Sequence, residues 1–349
     1  MRALTVRPGQ ADSARVEDVP EPPESLGPVL VQALAVGVCG TDREIARGKY
    51  GWAPPGKDRL VLGHESLGRV LDAPTDSGLK PGDLVAGIVR RPDPVPCPNC
   101  AAGEWDMCRN GKYTEHGIKE LDGFCAERWR VHPDHAVKVP PQLGHLGVLI
   151  EPASVVAKAW EHVERIGRRA VWQPRTCLVT GAGPIGLLAA LMGRQRGLEV
   201  HVLDHHTEGP KPQLVKDLGA RYHTSAVGDL AAAADVVVEC TGVGPLVIEI
   251  VSRTPPGCIT CLTGISSGGH RIAVDMAALN KEMVLENDVV FGTVNANRRH
   301  YELGASALAK ADPKWLARVV TRRVQLADWK DALVRRPDDV KTVIELAAQ

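Results

Sequence analysis

A cysteine, a histidine and two carboxylates stand in glycine-rich or turn-like stretches of this 349-residue sequence and could together bind a metal ion. Cys39 lies in "GVCGTD", His64 and Glu65 lie in "GHE", and Glu151 lies in "LIEPAS". Thiolate sulfur, imidazole nitrogen and carboxylate oxygen all bind zinc, and a catalytic zinc takes three protein ligands and leaves one position open. We predict a catalytic zinc on Cys39, His64 and Glu151, with Glu65 beside them as an exchangeable ligand or a close catalytic partner.

A second group of thiols occurs in "CPNCAAGEWDMC". Closed structural zinc sites are usually four-coordinate, so three cysteines need one further ligand. Asp93 is the nearest carboxylate, with Glu115 and His116 as weaker candidates. Free or redox-active thiols are the alternative interpretation. The predicted structural zinc ligands are Cys97, Cys100, Cys108 and Asp93.

A glycine-rich turn, "GAGPIG", follows the apolar stretch "TCLVT" and precedes a helical run. A G-x-G-x-x-G motif in that context permits a tight turn and lets a pyrophosphate approach the backbone at a helix N-terminus. Asp204 ends the next apolar stretch at the expected distance and could accept both ribose hydroxyls, which favours NAD, whereas protonated His205 and His206 could contact the extra phosphate of NADP. The predicted cofactor contacts are Gly181, Gly183, Pro184, Ile185, Gly186, Asp204, His205, His206 and Thr241.

The overall charge and the cysteine content restrict the partners. Lysine plus arginine and aspartate plus glutamate are balanced at 42 each, which argues against binding to nucleic acid or an anionic membrane. Nine cysteines, an odd number, and a sequence start without signal-peptide character favour the reducing cytoplasm. No apolar run reaches the roughly 18 residues of a membrane span. A small-molecule substrate is therefore expected.

The length and spacing of the apolar runs change along the chain. Up to residue 152, short apolar runs broken by glycine and proline predict a mostly β domain. Residues 153–295 alternate apolar strands with helical segments, which predicts an α/β, doubly wound parallel sheet. Residues 296–349 return to mixed character and are assigned to the first domain. The chain therefore consists of a catalytic domain, 1–152 with 296–349, and a nucleotide-binding domain, 153–295.

The motifs "GVCGTD", "GHE", "LIEP" and "GAGPIG", in this order, resemble the zinc-dependent medium-chain alcohol dehydrogenase superfamily over nearly the whole chain. The resemblance implies a GroES-like catalytic domain joined to a Rossmann domain, and a proton-relay hydroxyl at Thr41. Further similarity in "EHGI", "DGFCAERWRV", "IEPASVVAKAW" and "GTVNANRRHYELG" points to the glucose dehydrogenase branch. In that branch the residues expected to bind substrate are Arg90, Glu115, Asn297 and His300.

The resemblance implies a zinc-dependent oxidoreductase that transfers hydride from the anomeric carbon of a glucose-like aldose to NAD(P), giving the lactone. Two zinc ions, one catalytic and one structural, and a preference for NAD over NADP are expected. The alternatives are a zinc-dependent dehydrogenase for a polyol, cyclitol or amino alcohol, and a non-catalytic nucleotide-binding sensor. A homodimer or homotetramer is expected from the same resemblance.

Overall fold

The computed structural model describes residues 1–266 and 271–347. The chain divides into two compact units, Met1–Ser154 with Asn295–Gln349, and Val155–Val294. The boundaries predicted from the sequence lay after residues 152 and 295. Within the described ranges, no helix is both long enough and apolar enough to cross a membrane.

The described strands and helices are numbered in chain order. The strands are β1 (Arg2–Val6), β2 (Arg15–Asp18), β3 (Val29–Val38), β4 (Leu60–Val61), β5 (Glu65–Asp72), β6 (Leu84–Gly87), β7 (Arg90–Arg91), β8 (Thr114–His116), β9 (Glu120–Leu121), β10 (Arg128–Val131), β11 (Ala136–Lys138), β12 (Thr176–Thr180), β13 (Glu199–Leu203), β14 (Arg221–His223), β15 (Val236–Glu239), β16 (Ile259–Leu262), β17 (Val289–Gly292), β18 (Val320–Gln325) and β19 (Lys341–Glu345). The α-helices are α1 (Gly40–Ala46), α2 (Pro98–Ala101), α3 (Ile150–Gly167), α4 (Pro184–Gln195), α5 (Pro210–Asp217), α6 (Val227–Ala232), α7 (Gly244–Val251), α8 (Met276–Glu286), α9 (Arg298–Ala309), α10 (Pro313–Val319) and α11 (Trp329–Leu333).

The first unit is built around strand β3, whose ten residues, "VLVQALAVGV", are almost entirely buried. Strands β5, β10 and β19 all pair antiparallel with β3. Phe124 and Trp129 pack edge to face in the core of this unit with ring centroids 4.9 Å apart. Full burial of one such side chain stabilises the fold by about 1.5 to 3 kcal/mol. The pairing of β19 with β3 places the C-terminal part of the chain beside residues 35–38.

The second unit is a six-stranded parallel sheet in the order β14, β13, β12, β15, β16, β17. The order reverses between β12 and β15, and in such sheets ligands bind beyond the carboxyl ends of the strands at this reversal. The predicted α/β class, with a mostly β domain and a doubly wound parallel sheet, is confirmed. Strand β14, "RYH", has no signal in the sequence, because its three residues do not form an apolar run.

Candidate active site

Cys39 is held at the end of β3, where the backbone leaves the sheet and enters α1. It is the N-cap of that helix: its Sγ accepts a hydrogen bond from the Thr41 backbone N–H at 3.2 Å. Asp42 completes the capping box by accepting from the Cys39 backbone N–H at 2.9 Å. The Thr41 hydroxyl is half-buried and makes no hydrogen bond among the described residues. Cap and strand end together fix the direction of the Cys39 sulfur.

His64 lies directly before β5, after a turn that requires glycine. Gly63 has a φ of +91°, and a Cβ there would come within 2.6 Å of Val36. The His64 Nε2 lies 3.0 Å from the Cys39 Sγ, and its Nδ1 lies 3.4 Å from Oδ1 of Asp42. Burial alone would lower the pKa of His64, but Cys39 and Asp42 raise it well above its ordinary value. Asp42 thus faces the ring nitrogen that does not contact Cys39, which is where carboxylates support zinc-binding histidines.

Glu65 begins β5 and forms a buried ion pair that the sequence did not reveal. Its carboxylate oxygens lie 2.5 and 2.6 Å from Nζ of Lys341, and both residues are buried. Gly37 stands opposite Glu65 in the sheet, and a Cβ at Gly37 would lie 2.0 Å from a Glu65 oxygen. Lys341 is the first residue of β19, so the strand pairing with β3 brings it to the site.

One potential ligand atom each from Cys39, His64 and Glu65 lies within 4.8 Å of the other two. A thiol, an imidazole and a carboxylate at this separation suit zinc with one position left open. The sequence analysis favoured Glu151 as the third ligand. Among the described residues the close group contains Glu65, and Glu151 as the third ligand stays a prediction. Burial raises the pKa of Glu151 to about 7, with His64 opposing and Glu65 adding to the shift, so its carboxyl lies close enough to interact with the group.

The cysteine loop, Cys97–Cys108, brings its three sulfurs within 4.8 Å of one another. Cys97 is the N-cap of α2, and hydrogen bonds, led by one from the Arg109 backbone N–H at 3.4 Å, lower the pKa of its thiol to about 6. Burial raises the pKa of the Cys100 thiol to about 11. N–H donors directed at one sulfur and a close group of three thiols are compatible with a structural zinc.

Asp93 is buried beside this loop but is not part of the described sulfur group. Its Oδ1 accepts from the Val95 backbone N–H at 2.8 Å, whereas its Oδ2 is buried without a hydrogen-bond partner among the described residues. The weaker candidates are engaged elsewhere: Glu115 pairs with Arg90, and His116 bonds the Asp122 carbonyl and Arg91. A buried oxygen lacking a donor fits a fourth metal ligand, so Asp93 stays the predicted one.

Arg90 and Glu115, two of the residues predicted to bind substrate, pair across β7 and β8. Arg90 Nε and Nη2 donate to Glu115 Oε1 at 3.1 and 2.9 Å, and Asn295 Nδ2 donates to the same oxygen at 2.7 Å. The Arg90 guanidinium also lies 3.6 Å above the Tyr113 ring centroid. Three donors therefore converge on Oε1, and Oε2 accepts no hydrogen bond from the described part of the chain. Sequence reasoning missed Asn295, for which the only signal was its place in "VNANRR".

Asn297 and His300, the other two residues predicted to bind substrate, lie at the start of α9 and are buried. They form a capping box in which each side chain accepts from the other's backbone N–H. Asn297 Nδ2 also donates to Glu104 Oε2 at 2.7 Å and to Asp106 Oδ1 at 3.0 Å. The Asn297 side chain therefore serves the helix cap and the contact with the cysteine loop, and His300 Nδ1 serves the cap. A direct contact of either residue with substrate stays a prediction.

The glycine-rich turn of the second unit has the form that a pyrophosphate requires. Gly181 has a φ of +89°, and a Cβ at Gly186 would lie 1.7 Å from the Gly181 carbonyl oxygen. A Cβ at Gly183, the N-cap of α4, would meet nothing within 4 Å, so the backbone there can be approached closely. Pro184 and Ile185 are the first residues of α4, a twelve-residue helix. The turn and the helix fit a dinucleotide.

Asp204 follows β13 with both carboxylate oxygens already engaged. Oδ2 accepts from the Ala182 backbone N–H at 2.7 Å, and Oδ1 accepts from the His206 backbone at 3.0 Å and contacts its ring nitrogen at 2.5 Å. Lys211 lies 3.7 Å away. Burial works to raise the pKa of Asp204, but these bonds and charges hold it at about 2. His205 is exposed. A carboxylate beside the Lys211 ammonium repels a 2′-phosphate less than an isolated one.

Thr241 lies in the loop after β15, and its hydroxyl and backbone N–H both donate to the Glu239 carboxylate. Glu239 is fully buried and also accepts from the Thr180 hydroxyl and the Gly242 backbone. Glu239 therefore ties the ends of β12 and β15, the two strands at the reversal of the sheet. A lone acid at the end of an apolar strand gave no sequence signal for this role.

Two protein families match the chain, and together they cover most of it. Residues 25–141 match the alcohol dehydrogenase GroES-like domain, and residues 144–346 match the glucose dehydrogenase C-terminus. Glucose 1-dehydrogenase of Methanocella arvoryzae is 39% identical over all of both chains, and that of Thermoproteus tenax is 39% identical over 99% of each. The structure of Haloferax mediterranei glucose dehydrogenase in complex with NADP, zinc and gluconolactone matches with a TM-score of 0.92, 31% identity and full coverage of both chains. The chain belongs to the glucose dehydrogenase branch of the zinc-dependent medium-chain alcohol dehydrogenase superfamily.

Proposed function

We propose that the protein is a zinc-dependent NAD(P) oxidoreductase that transfers hydride from the anomeric carbon of a glucose-like aldose to the nicotinamide and releases the lactone. The observation that carries the proposal is the group of Cys39, His64 and Glu65, with three zinc-binding atoms close together in a chain that matches glucose 1-dehydrogenases along its full length. The reaction balances as aldose plus NAD(P)⁺ giving lactone, NAD(P)H and a proton.

The residues around the metal group have separate tasks in this reaction. When bound, zinc lowers the pKa of an alcohol hydroxyl, and the nicotinamide accepts hydride. Thr41 carries the only hydroxyl of the "CGTD" turn and passes the substrate proton onward by hydrogen bonding. Lys341 neutralises Glu65, and Asp42 holds the His64 ring. Thr41→Val should lower kcat at least tenfold, whereas Thr41→Ser should keep most of it.

Glu115 is the substrate-binding residue that the geometry supports best. Because Arg90 and Asn295 saturate Oε1, the second carboxylate oxygen can accept a hydrogen bond from a sugar hydroxyl. Arg90 acts through Glu115 by fixing its carboxylate. Glu115→Gln should therefore raise the KM for sugar while the KM for cofactor stays unchanged.

We further propose that both NAD and NADP serve as cofactor. Asp204 can still accept from a ribose hydroxyl, since a carboxylate has about four acceptor positions and three are used. Lys211 reduces its repulsion of a 2′-phosphate, and His206 and the exposed His205 stand next to the carboxylate. The measurement is the ratio of kcat/KM with NAD and NADP, which His205→Ala should shift toward NAD.

The test of the proposed function is the formation of reduced nicotinamide, followed by absorbance, with NAD and NADP in parallel. Substrates are aldoses, linear polyols, cyclitols and amino alcohols, each with and without a zinc chelator. Turnover of aldoses that the chelator abolishes supports the proposal. Turnover of polyols, cyclitols or amino alcohols alone would replace the substrate class, and cofactor binding without any turnover would favour a non-catalytic sensor.

We propose that the protein forms a homodimer through the second unit. Strand β17 ends the described sheet, so one of its edges can pair with another chain. On the preceding helix, α8, Met276, Val284 and Leu285 are exposed apolar side chains. Light scattering after size exclusion tests this proposal, and Leu285→Lys should shift the mass toward one chain. The mass of a single chain, measured for the protein without substitutions, would contradict the proposed homodimer.

The cytoplasm is the proposed compartment. None of the nine cysteines forms a disulfide, and the cysteine loop needs reduced sulfurs to bind a metal. Fractionation of cells with a tagged protein tests this assignment.

A further inference from the structure

Residues of the cysteine loop contact side chains that lie around Glu115. Its two acids, Glu104 and Asp106, lie between Cys100 and Cys108. The Asp106 carbonyl oxygen accepts from Arg90 Nη1 at 3.0 Å, and Arg90 in turn holds Glu115. A backbone carbonyl of the loop thus contacts Arg90, one of the two residues that donate hydrogen bonds to the Glu115 carboxylate.

The side chains of the same two acids contact Asn297, which lies close in sequence to the other donor to Glu115, Asn295. Asp106 Oδ1 and Glu104 Oε2 both accept from Nδ2 of Asn297, at 3.0 and 2.7 Å. Both N–H groups of the Asn297 amide are therefore used, while its oxygen caps α9. Asn295, two residues earlier, has a φ of +62° and donates to Glu115 Oε1 at 2.7 Å. Anchoring Asn297 therefore restricts the backbone at Asn295, which lies two residues away.

We infer that Asp106 is a positioning residue for the sugar: its carboxylate anchors Asn297, which keeps Asn295 on Glu115 Oε1 and leaves Glu115 Oε2 directed to a substrate hydroxyl. Asp106 is suited to this role because its side chain is fully buried, whereas the Glu104 side chain is 31% exposed and shares its charge with Arg299. The inference rests on the proposed function, since it assigns Asp106 an effect on sugar binding.

The test compares Asp106→Ala with Asp106→Asn in the full-length, zinc-loaded protein. Alanine removes the acceptor for Asn297, whereas asparagine keeps an oxygen at the same place. Asp106→Ala should raise the KM for glucose about tenfold, in line with the loss of one hydrogen bond to a charged group, with kcat and the KM for cofactor changed less than about twofold. Asp106→Asn should restore most of the affinity. The matched control is Glu21→Ala, which removes an exposed acid paired with Arg128.

A double-mutant cycle separates positioning from general loosening of the fold. In a Glu115→Gln background, Asp106→Ala should cause no further rise in the KM for glucose, because the carboxylate it serves is gone. An equal rise in both backgrounds, or no rise in either, overturns the inference. If Asp106→Ala does not fold, Asn297→Ser keeps a good helix cap but loses both donors and should produce the same KM change. Absence of aldose turnover in the unaltered protein would contradict the proposed function instead.

Discussion

The catalytic group and the cysteine loop both contain thiols, but they are assembled in different ways. The catalytic group takes Cys39 from the end of β3, His64 and Glu65 from the start of β5, and Lys341 from β19. The cysteine loop takes all its sulfurs from Cys97–Cys108. The first group depends on strand pairing across most of the chain, whereas the second depends on one short helix and its flanking turn.

The two groups also differ in how their charges are balanced within the protein. In the catalytic group, buried Glu65 contacts buried Lys341, and His64 faces Asp42. In the cysteine loop, backbone N–H groups favour one thiolate, while Asp93 Oδ2 has no donor among the described residues. The catalytic group therefore contains a buried cation, Lys341, beside Glu65, whereas Asp93 pairs with no cationic side chain among the described residues. We expect metal loss to affect chemistry at the first group and stability at the second.

The largest expected effect comes from replacing one cysteine in each group, because the two replacements should have different consequences. Cys39→Ala should lose one zinc per chain and all turnover, because a ligand and its sulfur charge are removed. Cys97→Ala should lose the other zinc, lower the Tm and keep substantial turnover below that temperature. Metal analysis, thermal unfolding and the aldose assay on the same preparations check this prediction. Unaltered zinc content in Cys39→Ala would refute the assignment of the catalytic ligand.

Lys341→Met tests whether Lys341 balances the negative charge of Glu65 in the catalytic group. It leaves the Glu65 carboxylate buried without its cation, so the free energy of unfolding of the zinc-free protein should fall by about 3 to 5 kcal/mol. Lys138→Met is the control, because it breaks a pair with Asp83 whose lysine is half exposed and should cost about 0 to 1 kcal/mol. Denaturant unfolding measures both losses. Zinc should reduce the loss in Lys341→Met, and equal losses in the two variants would contradict the expected role of Lys341.

Glu65→Gln and Glu151→Gln decide which carboxylate completes the catalytic group. We expect Glu65→Gln to lose a ligand, whereas Glu151→Gln replaces a nearby, partly ionised carboxyl group and weakens zinc binding about 10- to 100-fold, as for residues that support a metal ligand. Zinc affinity measured by competition with a chelating dye gives the order. The reverse order would restore Glu151 as the third ligand.

Asp93→Asn should have the smallest effect, because the amide oxygen can still bind a metal but carries no charge. We expect the metal affinity of the cysteine loop to fall about tenfold, which corresponds to about 1.4 kcal/mol, with a small decrease in Tm and unchanged kcat. Asp122→Asn, at a surface pair with Lys57, is the matched control. Full metal retention at every chelator concentration would show that the fourth ligand lies elsewhere.

Much of the fold and part of the site could be predicted from residue pattern. The apolar stretches ending near Thr180, Leu203 and Glu239 predict parallel strands, because both faces of such a sheet are buried. The role of Asn297 could not be predicted in the same way. The polar segment around Asn297 suggests a contact with substrate. Its burial and its hydrogen bonds to Glu104 and Asp106 depend on a loop almost 200 residues away in sequence.

The sequence by itself determined the α/β class, the glycine-rich turn, the thiol groups and the family, because each depends on residue type and short spacing. The tertiary structure alone decided that Glu65 lies beside Cys39 and His64, that Lys341 pairs with Glu65, and that Asn295 rather than Asn297 contacts Glu115. These outcomes depend on strand register and burial. Neither can be derived from local spacing, because a shift of one residue in a strand turns a side chain to the opposite face.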